Sequence, residues 1–199
     1  MVSMDVIVGS KAYDHVALAR NVDYMVPMMY DEHWKTSPPG PISSQPWFEK
    51  TLKGFYEKVP PEKVVVGLGT YSYDYGASGK RAASLTWADA VALAKEQKAV
   101  IELDPKQLNA RYSYRDGSTT HNVWMLDSVS AFNQIAAAST TSPRGYAIWR
   151  LGAEDPALWN VLPSRDRLDA KVAASLGGTG RTVRYDEARG LIVEERFTP

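Results

Sequence analysis

The segment Met28-Met29-Tyr30-Asp31-Glu32-His33-Trp34 sets a phenolic hydroxyl, a carboxylate and an indole side by side at the end of an apolar run. That combination suits carbohydrate. A tryptophan ring stacks on the apolar face of a sugar, while hydroxyl and carboxylate groups hold its hydroxyl or acetamido substituents. The bland alternative is a core tyrosine next to an ordinary loop acid. A second aromatic-polar cluster, Tyr71-Ser72-Tyr73-Asp74-Tyr75, follows the next apolar run, and Trp149 ends a third. Three strands that each deliver aromatics to one rim are hard to assign to core packing alone, which favours a glycan cleft.

The elements that must position these residues are legible as apolar runs. Met4–Gly9, Asp23–Tyr30, Lys63–Gly69 and Gly145–Leu151 read as strands, although Pro27 weakens the second. Tyr13–Arg20, Gln45–Lys58, Leu85–Lys98 and Asp127–Ala138 read as helices, with Asp155–Val161 as a short one. Thr86-Trp87-Ala88-Asp89 carries a capping pattern. Lys35–Pro41 and the aromatic, glycine-containing stretch Tyr71–Lys80 read as loops. Ala110–Arg115 and His121–Met125 flank the turn signal Asp116-Gly117 and predict a hairpin. Strands followed by helices predict parallel βα units, whose functional residues lie at the C-terminal strand ends. From about Ser164 the chain turns charged and glycine-rich. Residues 164–199 are expected to form a linker or small appended β element, with one hairpin, Arg181–Tyr185 against Leu191–Arg196.

Setting aside that tail and an excursion at 71–121 leaves 112 residues. That is room for about four βα units of roughly 30 residues each. An eight-unit barrel takes ~250 residues. The expected fold is therefore α/β, either a small open sheet or the C-terminal half of a (β/α)8 barrel, and the early first strand favours the half barrel.

Composition narrows the function classes. Lys+Arg 23 balances Asp+Glu 23, which argues against a nucleic-acid partner. No apolar run reaches the ~20 residues of a membrane helix, and no basic region followed by an apolar stretch marks a signal peptide. The chain has no cysteine, so thiolate zinc sites, disulfides and cysteine nucleophiles are excluded. His15, His33 and His121 share no metal-ligand spacing and read as surface or hydrogen-bonded histidines. Gly67-Leu68-Gly69 and Gly177–Thr182 lack the remaining residues of nucleotide-binding loops, and no G-x-S-x-G elbow is present. No metal and no cofactor are expected. Glu154-Asp155 reads as a cap of the following helix.

At these motifs the sequence resembles glycoside hydrolase family 18, the chitinase-like TIM barrels. Met28-Met29-Tyr30-Asp31 looks like the family's sixth-strand M-x-Y-D. Gly69-Thr70-Tyr71-Ser72-Tyr73-Asp74 is similar to its seventh-strand end, and Ala147-Ile148-Trp149 to its eighth-strand tryptophan. The excursion at 71–121 matches the small α+β insertion between strands seven and eight. YDEHWKTSPPGPI, HNVWMLDSVSAFNQ and AIWRLGAEDPALW, together with the tail GRTVRYDEARGLIVEE, look like the variant fused to a polysaccharide deacetylase and a glycosyltransferase in bacteria.

The resemblance implies a partial barrel over 1–163, with strands five to eight, and a connector from 164 onward. It implies substrate-assisted, retaining hydrolysis of β-1,4-linked N-acetylglucosamine-type glycans. Tyr30 would donate to the substrate acetamido oxygen, Asp31 would orient that group, and Trp149 would floor the cleavage subsite. Met28, Trp34, Tyr71 and Tyr73 would line neighbouring positions. The implied partners are the glycan, the N-terminal barrel half and the fused domains, with the parent domain outside the cytoplasm.

One departure outweighs these matches. The family's acid motif, D-x-x-D-x-D-x-E, is absent; the nearest echo, Asp166-x-x-Asp169, continues with Lys171 and Ala173. The expectation is a fragment inactive by itself, with open strand edges and poor independent stability. Two alternatives stand beside it: a non-catalytic glycan-binding module, and a self-associating pair of half barrels, for which the sequence offers no specific support.

Overall fold

The computed structural model describes residues 1–77, 80–162, 168–177 and 180–199. Four strands form a parallel sheet: β1 (Ser3–Ile7), β2 (Tyr24–Met28), β3 (Val65–Gly69) and β9 (Gly145–Trp149), in the order β1-β2-β3-β9. Each is shorter than its apolar run. Helix α1 (His15–Asn21) joins the first two, and α2 (Gln45–Tyr56) joins β2 to β3. Asp14 caps α1 by accepting from the Ala17 amide, and Ser44 caps α2 by accepting from Trp47. Pro60 and Pro61 follow α2, and a 3₁₀ turn, Pro61–Lys63, leads into β3.

Pro27 does sit inside a central strand, and the sheet records its cost. Because proline has no amide hydrogen, the β2–β3 ladder is reduced to the Met28–Gly67 pair and an isolated Met25–Val64 bridge. Alternation along the strands then divides the sheet into two unlike faces. Val6, Met25, Met29, Val66 and Leu68 are fully buried against Phe48, Leu52 and Phe55 of α2 and against Val129, Phe132 and Ile135 of α4 (Ser128–Ser139). The opposite face carries Ser3, Asp5 and Ile7, which are exposed, and Tyr24, Val26 and Met28, which are half-buried.

The second sheet has seven strands in the order β10-β11-β6-β7-β8-β4-β5. Its members are β4 (Ser72–Tyr75), β5 (Ala83–Leu85), β6 (Ile101–Leu103), β7 (Ala110–Asp116), β8 (Thr119–Met125), β10 (Arg181–Asp186) and β11 (Leu191–Phe197). The β7–β8 hairpin turns at Gly117, which takes a left-handed φ of 56°. Helix α3 (Trp87–Glu96) opens on the full Thr86–Asp89 capping box and lays Ala90 and Ala94 over Ile101, Ala110, Tyr112 and Val123. The excursion therefore runs on to Met125, beyond residue 121.

Two expectations change here. Four residues of the Tyr71–Lys80 stretch form strand β4, because Tyr-Ser-Tyr-Asp-Tyr is itself a period-two pattern and both neighbours β5 and β8 are available to pair with it. The tail hairpin forms, but not as an appendage. β11 pairs with β6 through Arg196–Glu102 and Phe197–Ile101. The Asn133 side chain of α4 exchanges two 2.7 Å hydrogen bonds with the backbone of Ile192. Arg181 is buried, its Nη1 3.0 Å from Asp155 and its Nε 3.1 Å from Glu195. Two short helices, α5 (Leu158–Val161) and α6 (Ala170–Ser175), complete the described chain. No helix among the described residues is long and apolar enough to cross a membrane.

Candidate functional site

The C-terminal ends of β2, β3 and β9 meet on one rim. Tyr30 and Asp31 follow β2, Thr70 and Tyr71 follow β3, and Trp149 ends β9. The rim is closed by short contacts that depend on sequence. Gly69 has no side chain because a Cβ there would lie 2.5 Å from the Tyr30 Cβ. The Thr70 amide donates to the Trp149 carbonyl at 2.8 Å, tying β3 to β9 at the level of the indole. The Trp149–Arg150 peptide is cis.

Asp31 is the centre of this arrangement. It sits at φ 60°, a left-handed conformation that aspartate tolerates better than most residues. Its Oδ1 accepts from the hydroxyl of Tyr71 and, at 3.0 Å, from the hydroxyl of Tyr73. Oδ2 has no protein donor among the described residues. Tyr71, just ahead of β4, and Tyr73 within it are two residues apart, and their rings meet edge to face, with centroids 5.1 Å apart. Tyr30 packs edge-on against Tyr71 at 6.1 Å. Burial, then the Asp31 carboxylate, pushes the Tyr71 and Tyr73 hydroxyls well above the ordinary tyrosine range. Tyr30 is pushed up to about 12, chiefly by burial and then by Asp31 and Asp5. All three are therefore neutral hydroxyl donors near neutral pH.

A cavity of about 420 Å³ opens beside this carboxylate, lined in part by Asp31, Tyr71, Tyr73 and Trp149. Trp149 is 58% exposed, so its face is free to stack. Tyr71 and Tyr73 are 8% and 5% exposed. Their rings are largely closed to a ligand; they line the cavity as expected and present their hydroxyls to Asp31. Met28 and Tyr30 stand at β2 without lining this cavity, Met28 on the half-open face of the parallel sheet. Trp34 is half exposed but also outside the lining, its indole N–H donating to Thr36 Oγ1 at 2.9 Å.

Sequence reasoning missed Lys35, Ser84, Asp89 and Arg150, which line the same cavity. Lys35 and Arg150 each follow a tryptophan already singled out, and that adjacency was the available signal. Asp89 was visible only as a helix-capping residue.

The histidines do other work. His15, read as a surface or hydrogen-bonded residue, is buried edge-on against Phe55. Burial, and secondarily Lys58, lowers its pKa and so favours the neutral ring. His33 Nδ1 lies 2.9 Å from the Pro38 carbonyl, with Gly40 against its ring. His121 Nδ1 lies 2.9 Å from Asp74 and 3.0 Å from the Tyr114 hydroxyl. Among the described residues no three His, Asp or Glu side chains are placed to hold a metal. Asp166 of the Asp166-x-x-Asp169 echo lies outside the described residues, and Asp169 caps α6 by accepting from Lys171 and Val172. Asp155 accepts from the Ala157 amide, but α5 has no side-chain cap, contrary to expectation, and the other Asp155 oxygen holds Ser128 and Arg181.

Known proteins share this architecture. A family model described as glycosyl hydrolases family 18 matches residues 2–154. The uncharacterized glycosylase YvbX of Bacillus subtilis is 26% identical over 152 residues, which are 75% of this chain and 44% of the relative. The cortical fragment-lytic enzyme of Bacillus cereus is 28% identical over 157 residues, 76% of this chain and 36% of the relative. Among solved structures, the Bacillus cereus spore cortex-lytic enzyme SleL superposes with a TM-score of 0.73 at 26% identity, covering 82% of this chain and 40% of that one. A chitinase from Chromobacterium violaceum gives 0.75 at 26% identity, covering 82% and 54%. The chain spans less than half the length of these curated relatives.

Proposed function

Because the chain belongs to glycosyl hydrolase family 18, we propose that its rim binds a β-1,4-linked N-acetylglucosamine-type glycan and presents the acetamido-orienting part of a glycosidase site. The carrying observation is Asp31: one carboxylate oxygen is held by two neutral tyrosine hydroxyls, next to an exposed Trp149, in one cavity. An N-acetyl sugar stacked on Trp149 would bring its acetamido group to Asp31 and to the Tyr30 hydroxyl. Fixed donors around Asp31 cost no reorganisation when charge develops on that group. In this reading the acetamido oxygen attacks the anomeric carbon as the bond to the leaving oxygen breaks.

The proton for the leaving oxygen is the missing part. The 199 residues contain no D-x-x-D-x-D-x-E, and losing a general acid lowers a rate by roughly 10² to 10⁴. We read the four parallel strands as strands five to eight of an eight-stranded barrel, so that hydrolysis needs a carboxylic acid supplied from beyond this sheet. What residues 1–199 do alone is bind. The absent acid motif, beside a site whose stacking face is open, also supports a second reading, a glycan-binding module without catalysis. The fusion to deacetylase and glycosyltransferase domains rests on sequence resemblance alone.

The test is a titration of tryptophan fluorescence with a neutral tetramer of β-1,4-linked N-acetylglucosamine. We expect a saturable change in the chain as it stands. Asp31→Ala removes a charged hydrogen-bond acceptor, which is worth about 1.5–3 kcal/mol, and should weaken binding roughly 10- to 150-fold. No saturable change in the unsubstituted chain overturns both readings; equal affinity in Asp31→Ala overturns the role of Asp31. Added hydrolysis of the tetramer by the purified chain would overturn the need for an outside acid.

A further inference from the structure

Building on the proposed glycan site, we propose that Arg181 is a positioning residue of that site. It stands on the tail hairpin, beyond the stretch 2–154 that matches the family, and holds the two segments that line the cavity beside Asp31. One segment is the head of α3, where Thr86 and Asp89 face the cavity; the other is the turn after β9, with Arg150 and Ala153. These two are tied to each other. The Arg150 carbonyl accepts the Ala153 amide at 3.1 Å, and the Ala153 carbonyl accepts the Trp87 amide at 2.8 Å. That amide is one of the first donors of α3, which have no partner within the helix.

Arg181 sits behind both segments, its side chain 7% exposed. Nη1 donates to the Ser128 hydroxyl at 2.8 Å and to Asp155 Oδ2 at 3.0 Å, two residues beyond Ala153. Its guanidinium carbon lies 5.9 Å from the centre of the Trp87 ring and 5.1 Å from that of Phe197, and those two rings are stacked. One planar cation therefore reaches the turn through Asp155 and α3 through Trp87. A hairpin that needed only its own ion pair would have it in Glu195 of β11, 3.1 Å from Nε. The bonds to Ser128 and Asp155 lead away from the hairpin, toward the rim. Cavity walls fixed before a sugar arrives lose less freedom on binding, and the difference appears as affinity. Lysine cannot replace this arrangement, because its one nitrogen lacks the flat fork that serves separate partners and stacks on rings.

The experiment uses the full chain carrying Arg181→Lys or Asp155→Asn. The first keeps a cation among the buried carboxyls and the second keeps an acceptor for the Ala157 amide, so the fold survives in each. Leu52→Ala, in the buried core on α2, is the control that destabilises away from the rim. Calorimetric titration uses the neutral tetramer of β-1,4-linked N-acetylglucosamine, at a temperature where circular dichroism shows every variant folded. Binding should be roughly tenfold weaker in the first two variants and unchanged in the control. Hydrogen–deuterium exchange without sugar should run roughly tenfold faster at 86–90 and 150–155 in the Arg181 and Asp155 variants, with α2 unchanged. Unchanged affinity in these variants overturns the proposal. So does exchange that quickens equally along the whole chain, which marks a structural role alone. If the unsubstituted chain binds no tetramer, the glycan reading fails, and the exchange pattern by itself decides whether Arg181 holds the rim.

Discussion

The two sheets of this protein solve the same problem in opposite ways. The parallel sheet buries Val6, Met25, Met29, Val66 and Leu68 on one face against helices α2 and α4, while the other face stays more open, with Ile7 54% exposed. The seven-stranded sheet is assembled from distant pieces, the 72–125 excursion and the 181–197 hairpin, and is locked by buried polar groups: Arg181, Asp155, Glu195 and Asn133. Where adjacent segments pack, hydrophobic burial is enough to define the fold. Where segments come from far apart in the chain, directional bonds fix the register that apolar surface leaves loose. The functional rim lies at the junction, since Asp31 comes from the first region and Tyr73 from the second.

Substitutions test how real that contrast is. Arg181→Ala would leave the Asp155 and Glu195 carboxyls buried without their cation, at a cost of about 3–5 kcal/mol. Urea denaturation should register the loss, and a cost under about 1 kcal/mol would mean that the hairpin is held by strand pairing alone. Within the parallel sheet, Leu68→Ala on the buried face should cost about 2–5 kcal/mol. Ile7→Ala on the open face should stay within about 0.5 kcal/mol. If the two costs converge, something covers the open face in solution.

The subtlest test is pH. Glu195 is buried beside Asp127 and Asp155, three carboxyls around one guanidinium, and burial followed by Asp127 raises its pKa well above the ordinary carboxylate range. A group whose folded-state pKa is raised contributes stability below its unfolded pKa and loses it as pH rises through the folded value. Stability should therefore fall as pH climbs above about 4.5, by at most about 1.4 kcal/mol per pH unit. Glu195→Gln should flatten that slope in denaturation curves taken from pH 5 to 8. An unchanged slope would place the titration elsewhere.

Tyr30, Asp31 and Trp149 were legible as candidates because each follows or ends an apolar run, where parallel strands deliver side chains to a rim. Tyr71 and Tyr73 were legible as residues but not in orientation: alternation gives them a common face, and only pairing with β8 and β5 turns their rings inward and their hydroxyls to Asp31. The tail misled more. Its glycines and charges read as a connector, yet Arg181 finds Ser128 and Asp155, 53 and 26 positions away.

By itself, then, the sequence determined the local elements, their caps, the parallel βα order, the rim residues and the missing acid motif. These are properties of neighbours along the chain, where periodicity and capping act over a few residues. Only the tertiary structure decided which hydroxyls hold Asp31, which cations share its cavity, and where the hairpin docks. The hydroxyl and docking contacts join residues from 40 to more than 90 positions apart, and a bond of that span is set by how whole sheets meet, which no local pattern encodes.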